Sequence, residues 1–197
     1  MSSSERLRVP DLSCSRNNDG NGDNAGHVRV YDLVGGAWAQ VGADIDGEAA
    51  GDYSGYSVSL SADGARLAVG APFNDVWRGG VRVYNFNGGA WTKVGEHIGG
   101  NSQNDVSGSS VSLSASGTHL AIGAILAGYV RVYKDDDGNW TRVGDDIDGE
   151  SVSLSADGTR LAVGAPLNDD DGTETGHVRV YGLKDERWIK VGKDIEV

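Results

Sequence analysis

Apolar residues alternate with small or polar ones along most of the chain, and the alternation keeps period two. In SVSLSADGARLAVG, from Ser57 to Gly70, Val58, Leu60, Leu67 and Val69 fall on one face, and Ser59, Ser61, Ala68 and Gly70 on the other. That is the signature of half-buried strands. Asp63-Gly64 between the two halves predicts a hairpin with a two-residue type I′ turn, which needs positive φ at both positions. The register then pairs Leu60 with Leu67 and Val58 with Val69. A second alternating unit, Val-Arg-Val-Tyr, is followed by a Trp and by Val-Gly. Turns at Gly35-Gly36, Gly88-Gly89, Asp137-Gly138 and Asp185-Glu186 fold it into a second hairpin, which sets Val30 opposite Val41.

Both units recur. Val-Arg-Val-Tyr begins at Val28, Val81, Val130 and Val178, at steps of 53, 49 and 48 residues. Trp38, Trp91, Trp140 and Trp188 follow at the same steps, and the first hairpin returns from Ser110 and Ser151. Two hairpins give four strands, A to D, in about 50 residues. Short antiparallel sheets at this period are propeller blades; a β-solenoid is the alternative, but its repeats are usually much shorter. Small residues on A and B fit a crowded centre, and Tyr and Trp on C and D fit a wide rim.

The predicted fold class is therefore all-β: an incomplete β-propeller of about 3.75 four-stranded antiparallel blades. Residues 1–45 form a partial first blade, and 46–98, 99–147 and 148–197 form three more. Aligning Arg6-Leu7-Arg8-Val9 with Arg160-Leu161-Ala162-Val163 makes the N-terminal segment strand B of the first blade. Single-chain propellers typically close with about 4–8 blades. The chain thus reads as a strained four-bladed ring short of one strand, as a piece of a larger ring, or as a ring completed by a second copy. Open strand edges predict self-association.

The same register puts Gly42, Gly95, Gly144 and Gly192 opposite Arg29, Arg82, Arg131 and Arg179. A missing side chain gives each guanidinium room to lie across the partner strand. The arginines either line a binding surface or, with the four tryptophans, form a ladder that packs one sheet on the next. Recurrence in every copy favours the ladder.

Composition sharpens this. Gly supplies 31 of 197 residues and Pro only 3, which suits a turn-rich chain. A net charge of −12 argues against nucleic-acid or anionic-membrane partners. No apolar run approaches the ~18–20 residues of a membrane span, and MSSSERLRVPDL lacks the apolar core of a signal peptide. Lone Cys14 forms no internal disulfide. The B–C and D–A loops, which share one face of a propeller, carry 20 of the 29 acids and only three of the 17 bases. That leaves −17 on this face and +5 elsewhere. Asp52, Tyr53, Tyr56, Asp75, Trp77 and Asp105 lie in these loops as candidate contacts for a protein or glycan ligand. Asp19, Asn21, Asp23, Asp169 and Asp171 alternate oxygen side chains as Ca²⁺ loops do. Neither run completes an EF-hand, since Asn24 and Val30 stand at its sixth and twelfth positions.

The stretch from Trp38 to Asp75 resembles the FG-GAP repeats of integrin α-subunit-like β-propellers. Ser54-Gly55-Tyr56-Ser57-Val58 matches the Phe-Gly-x-Ser-Val segment with Ser54 in place of Phe. Gly70-Ala71-Pro72 and Gly164-Ala165-Pro166 match its Gly-Ala-Pro; Gly108-Ser109-Ser110-Val111 and Gly123-Ala124-Ile125 match more loosely. The family's Asp-rich calcium loop between strands A and B shrinks here to Ala62-Asp63-Gly64-Ala65, so that Ca²⁺ site is not carried over. The eight residues 49–56 have no counterpart before Ser151. The resemblance implies an extracellular or cell-surface protein whose loop face binds a partner.

The four histidines all fall on repeat positions. His27 and His177 precede Val-Arg-Val-Tyr, His97 replaces the Asp before Ile, and His119 stands where Arg66 and Arg160 stand. No nucleophile, phosphate loop or zinc spacing accompanies them. The sequence therefore reads as a non-enzymatic binding or adhesion module working through its acidic loop face. The alternative is a propeller hydrolase or lyase with its site at the ring mouth.

Overall fold

The structure, a computed structural model, describes residues 8–11, 21–166 and 176–196. Four antiparallel sheets succeed one another along the chain. The first holds β1 (Arg8–Asp11), β2 (His27–Val34), β3 (Ala37–Gln40) and β4 (Ile45–Asp46). The second holds β5 (Ser57–Leu60), β6 (Arg66–Gly70), β7 (Gly80–Asn87) and β8 (Ala90–Gly99). The third holds β9 (Ser107–Leu113), β10 (His119–Ala124), β11 (Tyr129–Asp136) and β12 (Asn139–Asp148). The fourth holds β13 (Ser151–Leu154), β14 (Arg160–Ala165), β15 (His177–Lys184), β16 (Arg187–Lys190) and β17 (Ile195–Glu196). Strand D is continuous in the two middle sheets and broken into β3/β4 and β16/β17 in the outer ones. The chain is all-β, an incomplete propeller, as the repeat predicts.

Pairing follows the predicted register, with Leu60 opposite Leu67 and Val58 opposite Val69. The A–B turn is not type I′, however, because of the pair Asp63-Gly64 only Gly64 has positive φ. The Asp63 carboxylate instead accepts hydrogen bonds from Ser61 Oγ at 2.6 Å and Ala65 N at 2.9 Å, stabilising a wider loop. Asp157 repeats this with Ser155 and Thr159. The C–D turns do have positive φ at both central residues, including the glycine-free Asp185-Glu186.

One alignment is corrected. β1 pairs Arg8 with Asp32 and Val9 with Tyr31, whereas β6 pairs Arg66 with Asn85 and Leu67 with Tyr84. Arg8 is thus the counterpart of Arg66 and Arg160, two residues from the predicted alignment. A two-residue slip keeps every side chain on its face, so alternation alone cannot detect it.

The core lies between blades. Val28, Val30 and Ile45 pack on Leu67, Val69 and Tyr84. Ala68, Val81 and Val83 pack on Leu113, Leu120 and Ile122. Ala121, Val130 and Val132 pack on Leu154, Leu161 and Val163. Each fully buried aliphatic side chain contributes about 1.5–3 kcal/mol. The serines of strand A join neighbouring blades near the centre: Leu113 N donates to Ser59 Oγ, and Leu154 N to Ser112 Oγ, both at 2.9 Å. Successive A–B turns are linked by Ala62 N to Ala115 O and Ala115 N to Ala156 O, each 2.8 Å.

Candidate active site

The four repeated arginines do not lie across glycine as the register suggested. Gly42, Gly95, Gly144 and Gly192 all have positive φ, and in the two middle sheets the C–D register shifts beside Arg82 and Arg131. The glycine is there for the bulge, a backbone position that a Cβ disfavours. The bulge brings the residue two positions later back to the arginine. Arg29 thus reaches Asp44 at 2.7 Å, Arg131 reaches Asp146 at 2.5 Å, and Arg179 reaches Asp194 at 3.1 Å. Hydrogen bonds from Arg29 and Arg131 hold the Asp44 and Asp146 carboxyls below the usual range; Lys190 and Arg179 do so for Asp194. These pairs join strands of a single blade and neutralise part of the acidic face. The tryptophans sit at the rim: Trp91 Nε1 donates to Val41 O of the previous blade at 2.9 Å. Trp140 and Trp188 flank the next two cores, and Trp38 is exposed.

The second blade departs from this scheme, because His97 stands where the others have Asp. Arg82, only 3% exposed, turns to the preceding D–A loop. Its Nη2 donates to Glu48 Oε2 at 2.9 Å and lies 3.5 Å from Asp52 Oδ2. Asp52 is 5% exposed, and its Oδ1 accepts from Asn74 Nδ2 at 2.9 Å. Lys93 approaches the other Glu48 oxygen at 3.6 Å.

A second exchange accompanies the first. Where the other blades start strand C with His27, Tyr129 or His177, this one has Gly80. A Cβ there would lie 2.1 Å from His97 Nε2. The imidazole of strand D occupies the room that Gly80 leaves. Burial lowers the His97 pKa and the Arg82 charge lowers it further, so the ring is neutral near pH 7. Burial pushes the Glu48 carboxyl up, but Arg82 and Lys93 together outweigh it and the net shift is down. Arg82 Nε, Asp52 Oδ2 and His97 Nε2 are all buried without a hydrogen-bond partner.

The equivalent cluster of the third blade is closed. Arg131 pairs with Asp146 and donates to Asn101 Oδ1 at 2.7 Å, and its guanidinium stacks 4.0 Å from the Tyr129 ring centre. Tyr129 OH donates to Asp105 Oδ2 at 2.8 Å, and that oxygen also accepts from Asn101 N and Ser102 N. Burial and the Asp105 bond push the Tyr129 hydroxyl up to about 12. Asp105 therefore fastens its own loop.

Beside the open cluster, a groove of about 410 Å³ between the first two blades is lined by Asp44, Asp46, Glu48, Tyr84, Trp91 and Lys93. Of the candidate contacts, Tyr53, Tyr56 and Trp77 come together around Phe73, with ring centres 5.0, 6.0 and 5.4 Å from it. Asp75 pairs with Arg78 at 3.1 Å. Asn21 holds Gly47 O at 2.8 Å, and Asp23 is exposed. Asp19, Asp169 and Asp171 lie outside the described residues. Among the described residues, no three His, Cys, Asp or Glu side chains gather as a metal site.

Glu48, Asn74, Phe73 and His97 escape a reading of the sequence for site residues. The signal was the broken repeat itself, with His97 for Asp and Gly80 for His or Tyr.

No family model and no curated protein matches this sequence. Solved structures do. One assigned as a 6-phosphogluconolactonase from Bacteroides uniformis shares a TM-score of 0.64 at 14% identity, over 87% of this chain and 49% of that one. Another so assigned, from Bacteroides fragilis, gives 0.58 at 18%, over 87% and 52%. The periplasmic gluconolactonase of Pseudomonas aeruginosa gives 0.58 at 18%, over 89% and 50%. At such identities the likeness shows the propeller fold. The chain spans about half the length of these structures. The expectation of a non-enzymatic adhesion module is corrected, since these similar propellers carry enzyme names. That expectation treated His97 as one more repeat position, and so missed the cluster that its exchange opens.

Proposed function

We propose that the loop face carries the active site of a propeller hydrolase acting on a small sugar-derived lactone or ester. The observation that carries this reading is the open cluster of the second blade: a neutral imidazole, a guanidinium and a carboxylate, each with a buried atom lacking a partner. Desolvated groups gathered in one place, among them an imidazole whose pKa is lowered, are what acid–base catalysis requires. His97 Nε2 takes a proton from water as its oxygen adds to the carbonyl carbon. Arg82 faces the developing oxyanion, a preorganised charge in a site of low dielectric. The Asp52 carboxylate stabilises the imidazolium. On collapse the acyl C–O bond breaks, and His97 returns the proton to the departing oxygen, which in a lactone is the ring oxygen. Glu48, half exposed and bonded to Arg82, links this cluster to the groove.

The names of the similar propellers support lactones as the substrate class. We infer too that the repeats are FG-GAP-like, a likeness supported by Ser54-Gly55-Tyr56-Ser57-Val58 leading into β5 and Gly70-Ala71-Pro72 at the end of β6. Proton release from δ-gluconolactone and 6-phosphogluconolactone, measured against spontaneous hydrolysis, tests the reading. His97→Gln and Arg82→Gln are expected to lose on the order of 10²-fold or more in rate, while Arg179→Gln, whose pair with Asp194 lies in the fourth blade, retains it. A wild-type rate equal to the spontaneous one overturns the proposal.

A further inference from the structure

We infer that the Tyr53–Tyr56–Phe73–Trp77 cluster is a subsite for the ring of a neutral sugar, placed against the open cluster of the second blade. The inference rests on the hydrolase reading for its link to turnover, although sugar binding can be measured without it.

Half-buried Phe73 anchors the cluster, and the other three rings meet it edge-on. Trp77 and Tyr56 nonetheless keep 51% of their surface exposed. Rings recruited only for packing would be covered, and fixed, exposed aromatic surface marks a contact site. Trp77 is held outward by a single turn, Asn74–Trp77, in which Asp75, Val76 and Trp77 have φ of 49°, 54° and 64°. Left-handed backbone costs roughly 1–2 kcal/mol per non-glycine residue, and strain of this kind gathers at ligand sites. Backbone bonds offset it: Gly79 N to Asn74 O at 2.9 Å, and Val106 N to Trp77 O at 2.9 Å.

A sugar ring matches this surface in two ways. Its C–H face is apolar and its C–H dipoles suit the negative face of an aromatic ring. Its hydroxyl rim needs donors and acceptors, and two buried polar atoms without a hydrogen-bond partner stand on the same loops, Asp52 Oδ2 and Arg78 Nε. Asn74, next to Phe73, bonds Asp52, so the aromatic cluster and the Arg82 cluster share one hydrogen-bonded loop pair. Exposed Asp75 and the acidic loops around the rings favour a neutral ligand over an anionic one.

Saturation-transfer NMR with methyl β-D-glucopyranoside, a ring that the proposed chemistry does not hydrolyse, tests the subsite. Wild type is expected to transfer saturation to the C–H protons of one ring face. Trp77→Asn removes the ring while keeping a residue that tolerates left-handed backbone. Tyr56→Ser installs the residue of the equivalent Ser109. Each is expected to weaken binding roughly three- to tenfold with an unchanged circular dichroism spectrum, and His97→Gln is expected to bind as wild type does. No transfer in wild type, or transfer unchanged in both ring variants, overturns the inference. Binding without lactone turnover overturns only the hydrolase reading; turnover with a KM indifferent to Trp77→Asn overturns only the subsite.

Discussion

A single exchange, Asp to His at position 97, turns a repeated structural ion pair into a candidate site. In the first, third and fourth blades the carboxylate two residues beyond the bulge glycine satisfies the arginine; in the second an imidazole cannot, and Arg82 pairs across loops. The His97 pKa is depressed, so its neutral form is favoured by folding. Stability is therefore full above the unfolded value of about 6.5 and falls as the pH drops toward the folded value. Chemical denaturation at a series of pH values is expected to show this decline, and His97→Gln to flatten it. Glu186 is a second telling residue, with φ of 59° in a type I′ turn where two of the other three copies have Gly-Gly and one Asp-Gly. Glu186→Gly relieves that strain and is expected to stabilise by about 0.5–1 kcal/mol, read as a rise in Tm.

Blades are held to one another by specific ties as well as by their apolar faces. Arg66 of the second blade donates to Asn85, to Gly117 O at 3.0 Å and to Asp135 at 2.6 Å in the third, and lies 5.9 Å from the Trp140 ring centre. Arg66→Ala is expected to cost on the order of 2 kcal/mol. Asp135→Asn in the same background is expected to add less than it costs alone, because the two share one interaction; a double-mutant cycle of unfolding free energies checks this. His119 takes the place of Arg66 in the third blade and lies against Gly158 of the fourth. That substitution reads as neutral from the sequence, since both residues are polar at the end of strand B. Only the neighbouring turn shows what each must reach.

Charge is organised at the scale of the molecule. The acidic excess on the loop face is real in sequence, but Arg29, Arg82, Arg131 and Arg179 extend into it and cancel part of it. Asp44, Asp105, Asp146 and Asp194 have depressed pKa values, and Ser155 and Thr159 hold Asp157 at about 2. Their stabilisation is present above the unfolded carboxylate value of about 4 and is lost as the pH falls through the folded values. Thermal unfolding followed from pH 7 to pH 2 is expected to show Tm falling most steeply below about pH 4.

Repetition made the architecture legible, because an alternation of period two, copied four times, leaves few other ways to bury Val28, Val81 and Val130. The register of the A–B hairpins in the last three blades followed from the same pattern. What the pattern could not carry was anything that preserves it. A two-residue slip in β1 keeps both faces, so strand pairing decided it. The wider A–B turn depends on Asp63 bonding its neighbours, and the bulge at the C–D glycine sends the arginine of the first, third and fourth blades to a partner fifteen residues on. The candidate site lay deeper still. His97 and Gly80 are seventeen residues apart, and their exchange has meaning only where strand D crosses strand C. There one side chain fills the space the other vacates, and Arg82 is left to pair with Glu48 beside Asp52.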